Sequence, residues 1–228
     1  MRKYGFLKHS LVDYPGEVCS VVFLPGCNFR CAYCHNKDLV RSVAENGWTL
    51  AQIFQYLQAA RSLITGVCIT GGEPTLMPET LKFLIPKIKA LGLKVKLDSN
   101  GSHPDLLKSL GEQVNYIAMD LKTSFERYTE SIAPTSPDIE CKLRASMQYL
   151  MQRPAKTYEF RTTLAWDFVD ASVMHDLGKC LKPETYWYLQ RWRRNNVPST
   201  EVLLTDQERI ASCYAIAKKY TKNVFLRE

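Results

Sequence analysis

Cys27, Cys31 and Cys34 stand in a CxxxCxxC spacing within Gly26-Cys27-Asn28-Phe29-Arg30-Cys31-Ala32-Tyr33-Cys34-His35-Asn36. Cubane iron-sulfur clusters are ordinarily closed by four cysteine thiolates, so a loop that offers three leaves one iron free to bind a substrate. The next cysteine, Cys68, lies in an apolar run that reads as a strand. The tripod therefore suits chemistry at an open iron better than electron storage. Two other readings use the same residues. Cys31-Ala32-Tyr33-Cys34-His35 matches the c-type haem attachment pattern, which requires an exported chain and leaves Cys27 without a purpose. Three cysteines and His35 could also hold a structural zinc ion, against which Cys34 and His35 are adjacent and no second CxxC follows.

The elements that must position these thiols alternate along the chain. Val18 to Leu24 is a short apolar run ended by Pro25-Gly26 and reads as a buried strand feeding the cysteine loop. Thr49 is placed to cap a helix running to about Ser62, with Ile53, Phe54, Leu57 and Ala60 on one face. Further strands are predicted at Val67 to Thr70, Lys94 to Asp98, Tyr116 to Leu121, Tyr158 to Thr163 and Tyr186 to Trp192, with a last short one at Asn223 to Leu226. Helices are predicted at Pro78 to Leu91, from Pro104, and at Pro137 to Met151, Ala171 to Leu181 and Asp206 to Tyr220.

Strand-helix alternation implies a parallel sheet covered by helices. A closed eight-unit barrel typically needs about 250 residues, so 228 residues predict an open, partial six-unit α/β barrel, a single domain spanning 1–228. Ligands of such sheets sit at the C-terminal strand ends. There the sequence puts Thr70-Gly71-Gly72-Glu73-Pro74-Thr75, Asp98-Ser99-Asn100-Gly101, Asp120-Leu121-Lys122, Arg161, Gln190 and Trp192. Adjacent glycines let backbone approach a ligand closely. Asp98 and Asp120, at neighbouring strand ends, read as an acid-base pair, a cation site or solvated strand caps.

Composition narrows the class. At 46% hydrophobic and 23% charged residues, with no apolar run near membrane-spanning length, the chain reads as an ordinary globular protein. The first eight residues are basic but lack the apolar core of a signal peptide, so a cytoplasmic location with reduced cysteines is expected. Cys19, Cys68, Cys141, Cys180 and Cys213 fall in strand-like or helix-like runs and read as small hydrophobes. The net charge of +7, densest at Arg191-Trp192-Arg193-Arg194, points to an acidic or anionic partner or to a solvated strand end.

CNFRCAYCHN and GGEPT, in this order, resemble the radical S-adenosylmethionine enzymes over nearly the whole chain. SLVDYPG (Ser10 to Gly16), LDSNG, AMDLK and YEFRTT further resemble the activating enzymes of glycyl-radical proteins, above all those of anaerobic ribonucleoside-triphosphate reductases. The resemblance implies that Cys27, Cys31 and Cys34 ligate a 4Fe-4S cluster whose open iron chelates S-adenosylmethionine, cleaved on reduction to methionine and a 5'-deoxyadenosyl radical. It implies cofactor contacts from Tyr33 and His35 flanking the adenine, from Gly72 at the methionine amino group and from Lys122 and Arg161 at the carboxylate, with Gly71, Glu73 and Asp120 also among the cofactor-binding residues. Trp192 stands where pyruvate formate-lyase activators carry histidine. A monovalent cation held by Asp98, Ser99 and Asp120 is also implied, as is an external flavodoxin or ferredoxin, since no second cluster motif is present. The implied partner is a glycyl-radical protein, with neither membrane nor nucleic acid expected. Two alternatives remain: a radical enzyme acting on a small organic substrate, like 7-carboxy-7-deazaguanine synthase, and a zinc module that binds nucleic acid.

Overall fold

The computed structural model describes residues 2–34, 36–37, 47–192 and 204–227. Eight strands form one sheet in sequence order: β1 (Gly5–Ser10), β2 (Cys19–Leu24), β3 (Gly66–Gly71), β4 (Lys94–Ser99), β5 (Tyr116–Asp120), β6 (Tyr158–Leu164), β7 (Tyr186–Arg191) and β8 (Asn223–Arg227). β1 runs antiparallel to β2, and every later neighbour is parallel. The helices are α1 (Leu50–Ala60), α2 (Pro78–Ala90), α3 (Pro104–Leu110), α4 (Tyr128–Ser131), α5 (Ile139–Leu150), α6 (Ala171–Lys179) and α7 (Leu204–Ala217). Strands β2 to β7 are the six expected units, and β8 extends the parallel sheet. This is a single-sheet α/β fold of the partial-barrel type, with β1 and β8 as its outermost strands.

The unforeseen element is β1. Its sequence GFLKHS keeps Leu7, Lys8 and His9 exposed, so it lacks the alternation that marks a half-buried strand, and only its pairing with β2 makes it one. The four-residue α4 was also unforeseen, being too short to show periodicity.

Parallel strands covered on both faces carry apolar residues on both, and β2 is buried along nearly its whole length. Along each strand, alternate residues face the helices or the barrel interior. Val95, Leu97, Ile117, Met119, Phe160, Trp187 and Leu189 join the main core, against which α1 sets Ile53, Leu57 and Ala60. That helix begins with a capping box: the Thr49 hydroxyl accepts from Gln52 N, and Gln52 Oε1 accepts from Thr49 N. Opposite residues of the same strands turn inward. Cys19, Val21, Cys68, Tyr116 and Ala118 form a small apolar floor, while Lys96, Asp98, Glu159 and Arg161 bring charge into the interior.

Candidate cluster and cofactor site

The cysteine loop leaves β2 through Gly26, whose φ of 89° is reserved in practice for glycine. It is then pressed backbone to backbone against the loop after β3. Glu73 N donates to Gly26 O at 2.7 Å and Gly72 N to Leu24 O at 2.9 Å. A Cβ on Gly72 would lie 2.0 Å from Gly26 O, so no larger residue permits this approach. Side chains complete the fastening. Asn36 Nδ2 donates to Gly71 O at 3.1 Å, Asn28 Nδ2 donates to Ser102 Oγ at 2.9 Å, and Asn28 Oδ1 accepts from Asn100 Nδ2 at 2.9 Å.

So held, Cys27, Cys31 and Cys34 line one wall of a cavity of about 610 Å³ at the C-terminal strand ends. All three are free thiols, and no other cysteine among the described residues lines that cavity. Burial pushes the Cys27 thiol up to about 11 and raises Cys31 as well. A metal must therefore displace protons, as thiolate coordination does. Three thiols on one wall fit a cluster with one iron left open. A zinc site instead needs four donors on one ion, and His35, the fourth donor of that reading, lies outside the described residues. Tyr33 lines the same cavity beside Phe168, with ring centroids 5.1 Å apart, and its buried hydroxyl has no hydrogen-bond partner. A ligand could supply that missing partner.

Across the cavity lies an ion-pair network built by strand register. β5 pairs with β6 so that Asp120 sits opposite Arg161, and β4 with β5 so that Asp98 sits one position before the end. Arg161 donates through Nε to Asp120 Oδ1 at 2.8 Å and through Nη1 to Asp98 Oδ2 at 2.9 Å. Lys122 Nζ donates to Asp120 Oδ2 at 2.9 Å. From beneath, the buried Lys96 ammonium pairs with Asp98 Oδ1 and lies 3.7 Å from Cys68 Sγ. Burial alone would raise both carboxyl pKa values. Arg161, with Lys96 at Asp98 and Lys122 at Asp120, nevertheless holds both below the ordinary carboxylate range. The network thus sets three cations against two carboxylates. A carboxylate-bearing ligand would be the natural complement of the surplus positive charge.

Tyr33, Gly71, Gly72, Asp98, Ser99, Asp120, Lys122 and Arg161 all line the cavity with the three cysteines. Glu73 and Trp192 do not. Glu73 is fully buried behind the wall, where its carboxyl accepts from Thr75 N, Thr75 Oγ1, Ser99 Oγ and Asn100 N and so ties the loop after β3 to the end of β4. Trp192 packs half-buried against the main core. Arg191 ends β7, and Arg193 and Arg194 lie outside the described residues.

Sequence reasoning passed over Asn28, Lys96 and Tyr128, whose hydroxyl accepts from Lys122 N at 2.7 Å. Lys96 carried a visible signal: in KVKLDS it shares the inward face of Asp98, two residues on, inside an otherwise apolar strand.

The model of the radical SAM superfamily matches residues 21–146, more than half of the chain. A Methanocaldococcus jannaschii protein carrying the name of a glycyl-radical enzyme activating enzyme is 28% identical over 229 residues, covering 98% of this chain and 94% of that protein. A 7-carboxy-7-deazaguanine synthase of Thermococcus kodakarensis is 25% identical over 58% of each chain. Among solved structures, Streptococcus suis SuiB bound to S-adenosylmethionine shares the fold with a TM-score of 0.58 at 13% identity, over 91% of this chain and 51% of that one. Among the described residues no helix is long and apolar enough to cross a membrane. With its three-cysteine wall and its family match, the chain belongs to the radical SAM superfamily, whose enzymes use a 4Fe-4S cluster and S-adenosylmethionine.

Proposed function

We propose that this enzyme generates a glycyl radical on a separate protein, and that this protein is an anaerobic ribonucleoside-triphosphate reductase. The observation that carries the reading is the likeness, along 98% of the chain, to a protein named as a glycyl-radical enzyme activating enzyme. Cys27, Cys31 and Cys34 hold the cluster. When bound, the cluster and S-adenosylmethionine supply the reductive sulfonium cleavage that yields a hydrogen-abstracting species. The chain's own residues bind and orient the cofactor. Lys122 and Arg161 face the methionine carboxylate through charge-assisted hydrogen bonds, the backbone at Gly71 and Gly72 approaches the amino group, and Tyr33 and His35 flank the adenine. Glu73 acts from behind the wall, by fixing the loop that carries the glycines. The electron comes from a flavodoxin or ferredoxin, and the reaction is cytoplasmic.

A second reading, action on a small organic molecule, draws on the partial likeness to 7-carboxy-7-deazaguanine synthase. Such an enzyme needs polar groups dedicated to its substrate, and Asp13, Thr163 and Gln190 are among the polar residues on the cavity wall. Electron paramagnetic resonance on reduced enzyme mixed with S-adenosylmethionine and the reductase decides between the two. A glycine-centred doublet on the reductase is expected. Its absence, together with turnover of 6-carboxytetrahydropterin, would establish the small-molecule reading instead.

A further inference from the structure

The residues that a monovalent cation would need, Asp98, Ser99 and Asp120, are already committed. Both oxygens of Asp98 are taken, one by Lys96 and one by Arg161. Both oxygens of Asp120 are taken, one by Arg161 and one by Lys122. Ser99 Oγ donates to Glu73 Oε1 at 2.9 Å and accepts from Gly101 N at 3.0 Å. A metal cation bound to these oxygens would sit directly against an ammonium or guanidinium group on each carboxylate and would join a network already carrying more positive than negative charge. The donor set does not fit a monovalent cation.

We infer that Lys96 is a built-in replacement for that cation: its ammonium, lodged beneath Asp98, supplies internally the charge that orders the two carboxylates, and cofactor binding is independent of potassium or sodium. Lys96 is only 1% exposed, on the inward face of β4, where a lysine has no solvent to reach. Strand register sets it between Cys68 and Tyr116 of the apolar floor, and its head meets Asp98 and Cys68. A fully buried lysine is retained only when it is paired, and here its partner is a carboxylate that also grips Arg161. Lys96 does not itself line the cavity; it reaches the cavity only through Asp98, which does. It is a positioning residue, acting on the cofactor through Asp98 and Arg161.

The inference rests on the reading that the methionine carboxylate faces Lys122 and Arg161, so its test has one arm that needs no cofactor. In the first arm, the cluster-loaded enzyme is titrated calorimetrically with S-adenosylmethionine in choline chloride and in potassium chloride of equal ionic strength. The wild-type affinity should agree within about twofold, whereas Lys96→Leu should bind about tenfold more weakly in choline and recover most of that loss in potassium. A purely structural role for Lys96 would not produce potassium rescue. In the second arm, wild-type crystals soaked in rubidium chloride should show no anomalous peak between Asp98 and Asp120. A rubidium peak there, a wild-type affinity that rises tenfold or more with potassium, or a Lys96→Leu enzyme indistinguishable from wild type in both salts would overturn the inference. If Lys96→Leu does not fold, the wild-type titration and the rubidium map decide. Absence of cofactor binding in either salt would instead count against the carboxylate placement, with the rubidium map still answering for Lys96.

Discussion

The barrel interior holds two sets of buried charges, and they are built differently. Toward the β8 side, Glu159, fully buried, is gripped by Arg227 through two bonds of 2.7 and 2.8 Å and receives the Tyr116 hydroxyl at 2.7 Å, while the Arg227 guanidinium lies 3.6 Å over the Tyr188 ring. One cation meets one anion, and neither residue lines the cysteine cavity. At the mouth, three cations meet two carboxylates, and Arg161, Lys122, Asp98 and Asp120 open onto the cavity. The first set is self-sufficient, and its loss should cost stability. The second is electrostatically incomplete, and its loss should cost ligand affinity.

The most drastic way to test this division is to remove the thiols that face the mouth. Cys27→Ala, Cys31→Ala and Cys34→Ala should each abolish cluster retention and S-adenosylmethionine cleavage, while Cys68→Ala should spare both; anaerobic iron analysis and methionine release measure this. A tripod variant retaining iron and activity would remove the mouth's claim to function.

Next in size is the self-contained pair. Arg227→Met leaves Glu159 buried and unpaired, which should cost about 3 to 5 kcal/mol of stability. Denaturant unfolding checks the cost, and calorimetry on protein that still folds should find S-adenosylmethionine affinity unchanged. A weakened affinity at unchanged stability would invert the comparison.

Arg161→Ala should do the opposite. Asp98 and Asp120 keep Lys96 and Lys122, so the fold survives, while loss of a charge-assisted contact should weaken S-adenosylmethionine binding by about 10- to 100-fold. Unchanged affinity would place Arg161 outside the binding contacts.

A smaller effect appears in acid. Asp98 and Asp120 have pKa values depressed below their ordinary 3.8, so their contribution is fully present above about pH 4 and is lost as pH falls through the depressed values. Urea melts across pH should show no loss from these groups between about pH 7 and pH 4 and a decline below it, with a shallower decline in Asp98→Asn. The same slope in wild type and variant would show that Asp98 is not held by the network.

How much of this was legible in the chain depended on distance along it. The tripod lies within eight consecutive residues, and Asp98, Asp120 and Arg161 stand toward the ends of β4, β5 and β6, so the cysteines and these three residues could be read directly. Their mutual pairing could not, because Arg161 meets Asp120 from 41 positions away and Asp98 from 63, and only inter-strand register makes those contacts. Glu73 was misleading for the same reason. Beside two glycines it reads as a ligand contact, yet the backbone of Asn100, 27 residues on, claims its carboxyl. Strand β1 was invisible because its pairing, and no pattern of its own, makes it a strand.

The central claim is that the mouth holds a three-thiolate cluster whose open iron binds S-adenosylmethionine against the Lys122 and Arg161 side. Its most direct test is electron paramagnetic resonance of the anaerobically reconstituted, reduced protein before and after S-adenosylmethionine is added. The account predicts a 4Fe-4S signal whose g values shift on addition in the wild type and shift only at higher cofactor concentration in Arg161→Ala. A spectrum that S-adenosylmethionine leaves unchanged in the wild type would contradict it.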